Sequence, residues 1–115
     1  MNYPKYYMYP AVFQPDGDMW TVTFPDIENA FTSSDTLGEA ILDARAVLED
    51  CMYFREIQND DIPVPSQIDN IEKPSGGIVQ MVAAFMPDVR DLWNSKETVK
   101  ITPKVLAHKK RKVYA

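Results

Sequence analysis

Tyr6-Tyr7-Met8-Tyr9-Pro10-Ala11-Val12-Phe13-Gln14, Pro15-Asp16-Gly17-Asp18 and Met19-Trp20-Thr21-Val22-Thr23-Phe24 read as strand, turn and strand. The first segment is rich in aromatic and β-branched residues. In the turn, Pro15 presets φ and Gly17 accepts a positive φ. In the second segment Trp20, Val22 and Phe24 alternate with Thr21 and Thr23, which gives a hairpin with one apolar face. Pro10 lacks a ladder donor, so it belongs at a bulge or at an unpaired edge position.

Working outward, Pro25-Asp26 breaks the second strand and Ala30 to Ser33 can form a short third one. A helix starts at Asp35-Thr36. Thr36 and Glu39 have capping-box spacing, in which the hydroxyl and the carboxylate each satisfy an orphan backbone N–H. Leu37, Ala40, Ile41, Ala44, Val47, Leu48, Cys51 and Met52 recur at three- and four-residue steps, and this face is expected to cover the hairpin. The helix fades around Ile57 to Asn59. Residues 60–77, with Pro63, Pro65, Pro74 and Gly76-Gly77, are expected to run in extended form along the surface. Ile78 to Phe85 (IVQMVAAF) suits a strand buried on both sides, returning parallel beside the first strand by a right-handed crossover. Asp88 to Trp93 reads as a helical turn or short helix, and Thr98 to Thr102 as a short alternating strand. Pro103 then marks a possible helix start.

The 115 residues, 45% of them hydrophobic, suffice for one core and a short appendage. No apolar run is long enough to span a membrane and the first residues do not read as a secretory signal, so a cytoplasmic location is expected. The single Cys51 has no internal disulfide partner. Charge divides the chain: residues 1–95 hold 5 Lys+Arg against 16 Asp+Glu, a balance of −11, and residues 96–115 hold 7 Lys+Arg against one Glu, a balance of +6. An acidic body with a basic tail points to two kinds of partner; the alternative is that the acidity serves solubility alone.

Catalysis is poorly supported. Ser33, Ser34 and Cys51 lack a nearby histidine, and the only one, His108, lies in the basic tail. Cys51 falls on the apolar helix face, where a thiol is inert. There is no phosphate-binding glycine loop. A two-metal nuclease needs carboxylates converging from strands, yet no acid occurs in residues 6–14, 19–24 or 78–85. The expectation is a non-enzymatic binding domain without metal or cofactor.

Several ordered motifs match a known family. Tyr9-Pro10-Ala11-Val12-Phe13, Asp16-Gly17, Val22-Thr23-Phe24-Pro25-Asp26, Phe31-Thr32 and Asp35-Thr36-Leu37-Gly38-Glu39-Ala40 together resemble the N-terminal half of HicB antitoxins of bacterial toxin–antitoxin pairs. The likeness covers residues 6–86. It implies an α+β fold, a β-β-β-α-β unit of partial ribonuclease H-like type without the nuclease carboxylates. It also implies a protein partner, a small basic HicA-like ribonuclease toxin whose mRNA cleavage the antitoxin blocks. Many family members add a C-terminal ribbon-helix-helix or helix-turn-helix that represses their own operon. Here Glu97-Thr98-Val99-Lys100-Ile101-Thr102-Pro103 resembles the strand opening a ribbon-helix-helix, but only 12 residues follow Pro103, too few for two helices.

The chain is thus expected to comprise a toxin-binding domain over residues 1–95 and a basic segment over 96–115, an incomplete ribbon-helix-helix for DNA binding or dimerisation. Candidate toxin contacts are Asp16, Asp18, Asp26 and Glu28 at the loop rim, with Glu39, Asp43 and Asp50 as exposed helix acids. Taken singly, each can instead be a solvated surface charge. Candidate DNA contacts are Thr98, Lys100, Thr102 and Lys104, against the alternative of a solvated tail. A lone five-residue strand needs a partner in water, so a homodimer or higher oligomer is expected, through that strand or an exposed sheet edge. The rival functional reading is a transcriptional regulator acting mainly through the basic segment on operator DNA.

Overall fold

The structure, a computed structural model, describes residues 2–99, and of residues 95–99 the backbone alone. The elements are β1 (Tyr6–Asp16), β2 (Met19–Thr23), β3 (Phe31–Ser34), α1 (Leu37–Ile57), a 3₁₀ turn (Ile68–Asn70), β4 (Ile78–Phe85) and α2 (Met86–Val99). The strands form one sheet in the order β3-β2-β1-β4, and every neighbouring pair is antiparallel.

The hairpin forms where the sequence places it. Gly17 turns the chain with φ +62°, a conformation that costs an L side chain about 1 kcal/mol. Alternation along β1 sends Tyr7, Tyr9, Ala11 and Phe13 to one face, where they are buried with Val22, Phe24, Val82 and Ala84. Helix α1 lies over this face and contributes Ala40, Ala44, Val47, Leu48 and Met52 to the same core. Its start carries the hydroxyl half of the expected capping box: the Thr36 hydroxyl accepts from the Glu39 N–H at 3.1 Å, satisfying one orphan donor of the first turn, while the Glu39 carboxylate accepts from that hydroxyl.

Pro10 is accommodated by the ladder itself. The Met86 N–H donates to the Lys5 carbonyl at 2.7 Å. With the Cα pairing of Tyr7 to Ala84 and Tyr9 to Val82, the odd residues of β1 therefore bond to β4 and the even ones turn toward β2. Strand β2 reaches back only to Thr23, opposite Val12. The donor that Pro10 lacks thus faces a position where β2 has already ended.

Three expectations need correction. First, β4 returns antiparallel to β1, not parallel. The cause is the connection over residues 58–77, which runs back along the sheet. It is held at Pro63, whose carbonyl accepts from the Tyr9 hydroxyl at 2.5 Å, and at Ser66, bonded to Asp26. The chain thus re-enters the sheet beside Phe13 rather than beside Tyr6. Second, β4 is an edge strand with one buried face; Val82 and Ala84 are inside while Met81 and Ala83 are exposed. Third, the last helix is longer than expected and takes in Thr98 and Val99, which were assigned to a strand. Pro87 sits in its first turn, where its missing N–H has no helical partner to lose. Residues 100–102 of that expected strand, and the basic cluster after it, lie outside the described residues.

The re-entry into β4 leaves no room for a side chain. A Cβ on Gly77 would lie 2.5 Å from the Phe13 carbonyl oxygen and 2.5 Å from Pro74 Cγ. Gly77→Ala is therefore expected to destabilise the fold by about 1–3 kcal/mol through forced backbone displacement. Urea denaturation reads this as a lower midpoint; an unchanged midpoint would contradict the close approach.

Candidate protein-binding face

On the face of the sheet away from α1, β2 and β3 present a small surface whose rows follow from register. Phe31 stands beside Thr23, Ser33 beside Thr21, and Met19 beside Asp16. Phe31 is 51% exposed and Met19 38% exposed, so two large apolar side chains stand in solvent here. The edges of this surface are acidic. Asp16 and Asp18 flank the hairpin turn, and Glu28 lies three residues before Phe31 on the β2–β3 loop. Asp35 follows β3 directly, and all four are exposed. The loop carrying Glu28 is fixed from below. Ile27 is buried in the core, the Phe24 N–H donates to the Ala30 carbonyl at 3.2 Å, and Asn29 takes φ +67°. Apolar anchors inside a charged rim are the anatomy of a protein-binding surface.

The other expected acids have different places. Asp26 is half-buried and structural: its carboxylate accepts from the Ser66 N–H at 2.9 Å and from the Ser66 hydroxyl at 2.5 Å, pinning residues 58–77 to the β2–β3 loop. Glu39 is half-buried at the start of α1, where the Thr36 hydroxyl donates to it at 3.4 Å. Asp43 and Asp50, expected to be exposed, are both buried. The Ser34 hydroxyl donates to Asp43 at 2.7 Å, tying β3 to the helix. Neither can lie on a docking surface. Of the expected DNA contacts, Thr98 is in α2, and Lys100, Thr102 and Lys104 are outside the described residues. Asp35 was missed because its position just before the capping box marked it only as part of the helix start.

A buried polar clamp holds the two helices to the sheet. Glu56, near the end of α1, takes two hydrogen bonds from Arg90 of α2, Nε to Oε1 at 2.9 Å and Nη2 to Oε2 at 2.7 Å. The Tyr7 hydroxyl donates to Glu56 Oε2 at 2.6 Å, and Arg90 also donates to the Pro4 carbonyl. Beside this clamp the Trp93 ring stacks on Tyr53 at 5.6 Å. Nothing in the sequence pairs Glu56 with Arg90, because 34 residues separate them.

Burial, and then the hydrogen bond to Glu56 and its charge, hold the Tyr7 hydroxyl well above the ordinary tyrosine range. Burial also raises Tyr9. On raising the pH, the unfolded chain releases these protons first. Their contribution is therefore fully present below about pH 10 and is lost above it, by up to about 1.4 kcal/mol per pH unit for each tyrosine. Denaturant titrations at pH 8 and pH 11 should show the fall, and Tyr7→Phe should flatten it.

Among the described residues, no group of three or more His, Cys, Asp or Glu side chains is arranged to hold a metal ion. No described helix is long and apolar enough to cross a membrane.

Comparison with known proteins places the chain in a family and gives its fold solved relatives. Residues 8–74 match the family described as HicB_like antitoxin of bacterial toxin-antitoxin system. Antitoxin HicB 2 of Photorhabdus laumondii is 40% identical over 58 residues; the match spans 50% of this chain and only 42% of that relative's length. Among solved structures, a toxin–antitoxin complex from Streptococcus pneumoniae superposes with a TM-score of 0.69 at 22% identity, covering 92% of this chain and 87% of that one. A HicA3 and HicB3 toxin–antitoxin complex does so at 0.55 and 21% identity, covering 66% of this chain and 95% of that one. The N-terminal domain of Burkholderia pseudomallei antitoxin HicB gives 0.56 at 22% identity, covering 66% and 95%. At these identities the structures establish a shared fold.

Proposed function

This chain belongs to the HicB-like antitoxins of bacterial toxin–antitoxin systems, and from that premise we propose that it neutralises a small basic HicA-like ribonuclease toxin by docking it on the outer face of β2 and β3. The observation that carries the reading is the pair of exposed apolar side chains, Phe31 and Met19, set among Asp16, Asp18, Glu28 and Asp35. Residues 1–95 carry a balance of −11, so a basic RNA-binding surface is drawn to this body as it is to RNA. Complementary charge raises the rate of encounter and selects the partner, while the buried apolar anchors supply most of the affinity. The chain acts by occupying the toxin's RNA-binding surface, so it needs no reactive group of its own. Co-expression with the cognate toxin is the test. Growth should be restored and the two proteins should co-purify; failure of both would remove the reading.

A second role, repression of its own operon, is favoured by the +6 balance of residues 96–115. Contacts of this kind to phosphates make binding strongly salt-dependent. Deleting residues 96–115 should abolish operator binding and leave toxin binding intact; unchanged operator binding would exclude the role.

A further inference from the structure

The second sheet edge is of another kind. Strand β4 has β1 on one side only. Because Met86 donates to Lys5 and β4 pairs residue by residue with β1, the even residues of β4 bond to β1. The N–H and C=O groups of Val79, Met81, Ala83 and Phe85 turn the other way. Phe85 shows this directly: its N–H is directed to Glu49 Oε2 at 3.4 Å. Alongside residues 80–83 the edge opens into a groove of about 250 Å³ whose far wall is α1, with Ile41, Leu42 and Arg45. Leu42 is 71% exposed and Met81 37% exposed.

Edge strands of monomeric proteins are usually blunted by charge, proline or a bulge, or covered by a helix or loop; here α1 reaches the edge at Phe85 through Glu49. Over Ile78–Phe85 there is no charged residue and no proline. The one cation on the groove wall, Arg45, is paired with Glu49 at 3.1 Å. In a body that carries −11 over residues 1–95, this is a near-neutral strip, where two copies can approach with little like-charge repulsion. The strip is also self-complementary. A twofold axis near Met81 sets Val79 of one copy opposite Ala83 of the other, with each donating and accepting. The same axis brings the Leu42 and Ile41 side chains of the two helices toward each other across the new ladder.

We propose that two copies of this chain join β4 to β4 in antiparallel fashion, making one continuous eight-stranded sheet, with the acidic faces of β2 and β3 at its two far ends. The charge pattern selects this occupant: a basic partner is attracted to the acidic far edge, while the neutral edge suits a second copy. The arrangement does not depend on the identity of the toxin.

Amide hydrogen exchange on the full chain across a dilution series tests it site by site. The Val79, Met81 and Ala83 amides should exchange at least about tenfold more slowly at high than at low concentration, as mass action requires of an intermolecular bond. The Gln80, Val82 and Ala84 amides, bonded to β1, should show no such dependence. Met81→Pro removes only an outward donor and leaves the ladder to β1 intact, and Ala83→Lys adds a charge at the edge. Each should abolish the concentration dependence at the remaining edge amides while circular dichroism stays native. Edge amides that exchange freely at every concentration, or are protected independently of it, would overturn the proposal. So would protection that arises only on adding the basic toxin, which would give the edge to a strand of that protein instead.

Discussion

Replacing Asp16, Asp18 and Glu28 together by lysine is expected to weaken toxin binding by about 100-fold. Each exposed rim charge contributes on the order of 0.5 kcal/mol, and reversal adds repulsion of similar size, so three reversals amount to about 3 kcal/mol. The loss should fall mainly on the association rate and shrink as salt rises, because these side chains stand in water at the rim. Phe31→Ala should behave differently: it removes an apolar anchor, so the dissociation rate should rise while salt dependence stays the same. The control is Asp88→Lys with Asp91→Lys, two exposed acids on α2. If that pair weakens binding as much per charge as the hairpin acids do, net charge alone is at work and the docking face is misplaced.

Arg90→Met is expected to destabilise the fold by about 3 kcal/mol. The Glu56 side chain is only 5% exposed and the Arg90 side chain 25% exposed. Removing the guanidinium leaves a buried carboxylate with the Tyr7 hydroxyl as its remaining side-chain donor. The double variant Glu56→Leu with Arg90→Met should recover most of this loss, since no uncompensated charge is then buried, but not all of it, since Tyr7 loses its acceptor. Thermal or urea denaturation measures both. A single variant as stable as the parent would mean that the pair contributes nothing, and that α2 is held by apolar packing, namely Met86 and Val89 in the core and Trp93 against Tyr53 and Phe54.

The hairpin, the capping box at Thr36 and Glu39, and the span Ile78–Phe85 were legible because each is a local pattern: alternation, cap spacing, an apolar run. The direction of β4 was not. It depends on where residues 58–77 are tied down, and those ties join Tyr9 to Pro63 and Asp26 to Ser66 over 54 and 40 residues. The candidate site was legible in part for a related reason. Asp16 ends β1 at the hairpin turn, and Asp18 and Glu28 sit in the turn and the β2–β3 loop, where a charged residue has little choice but solvent. Helix periodicity places Asp43 and Asp50 opposite the apolar stripe, yet α1 is buried more widely than that stripe. Ser34 on β3 supplies Asp43 with a donor that no helical pattern announces. Conversely, Leu42 stands in solvent beside the β4 edge, an apolar residue on what the periodicity marks as the polar side.

Cleavage of RNA by the purified cognate toxin, titrated with this chain at physiological salt, bears most directly on the antitoxin reading. Cleavage should stop near molar equivalence, and the Asp16, Asp18 and Glu28 lysine variant should require a large excess. Undiminished cleavage in the presence of excess folded parent chain would contradict occlusion of the toxin by this surface.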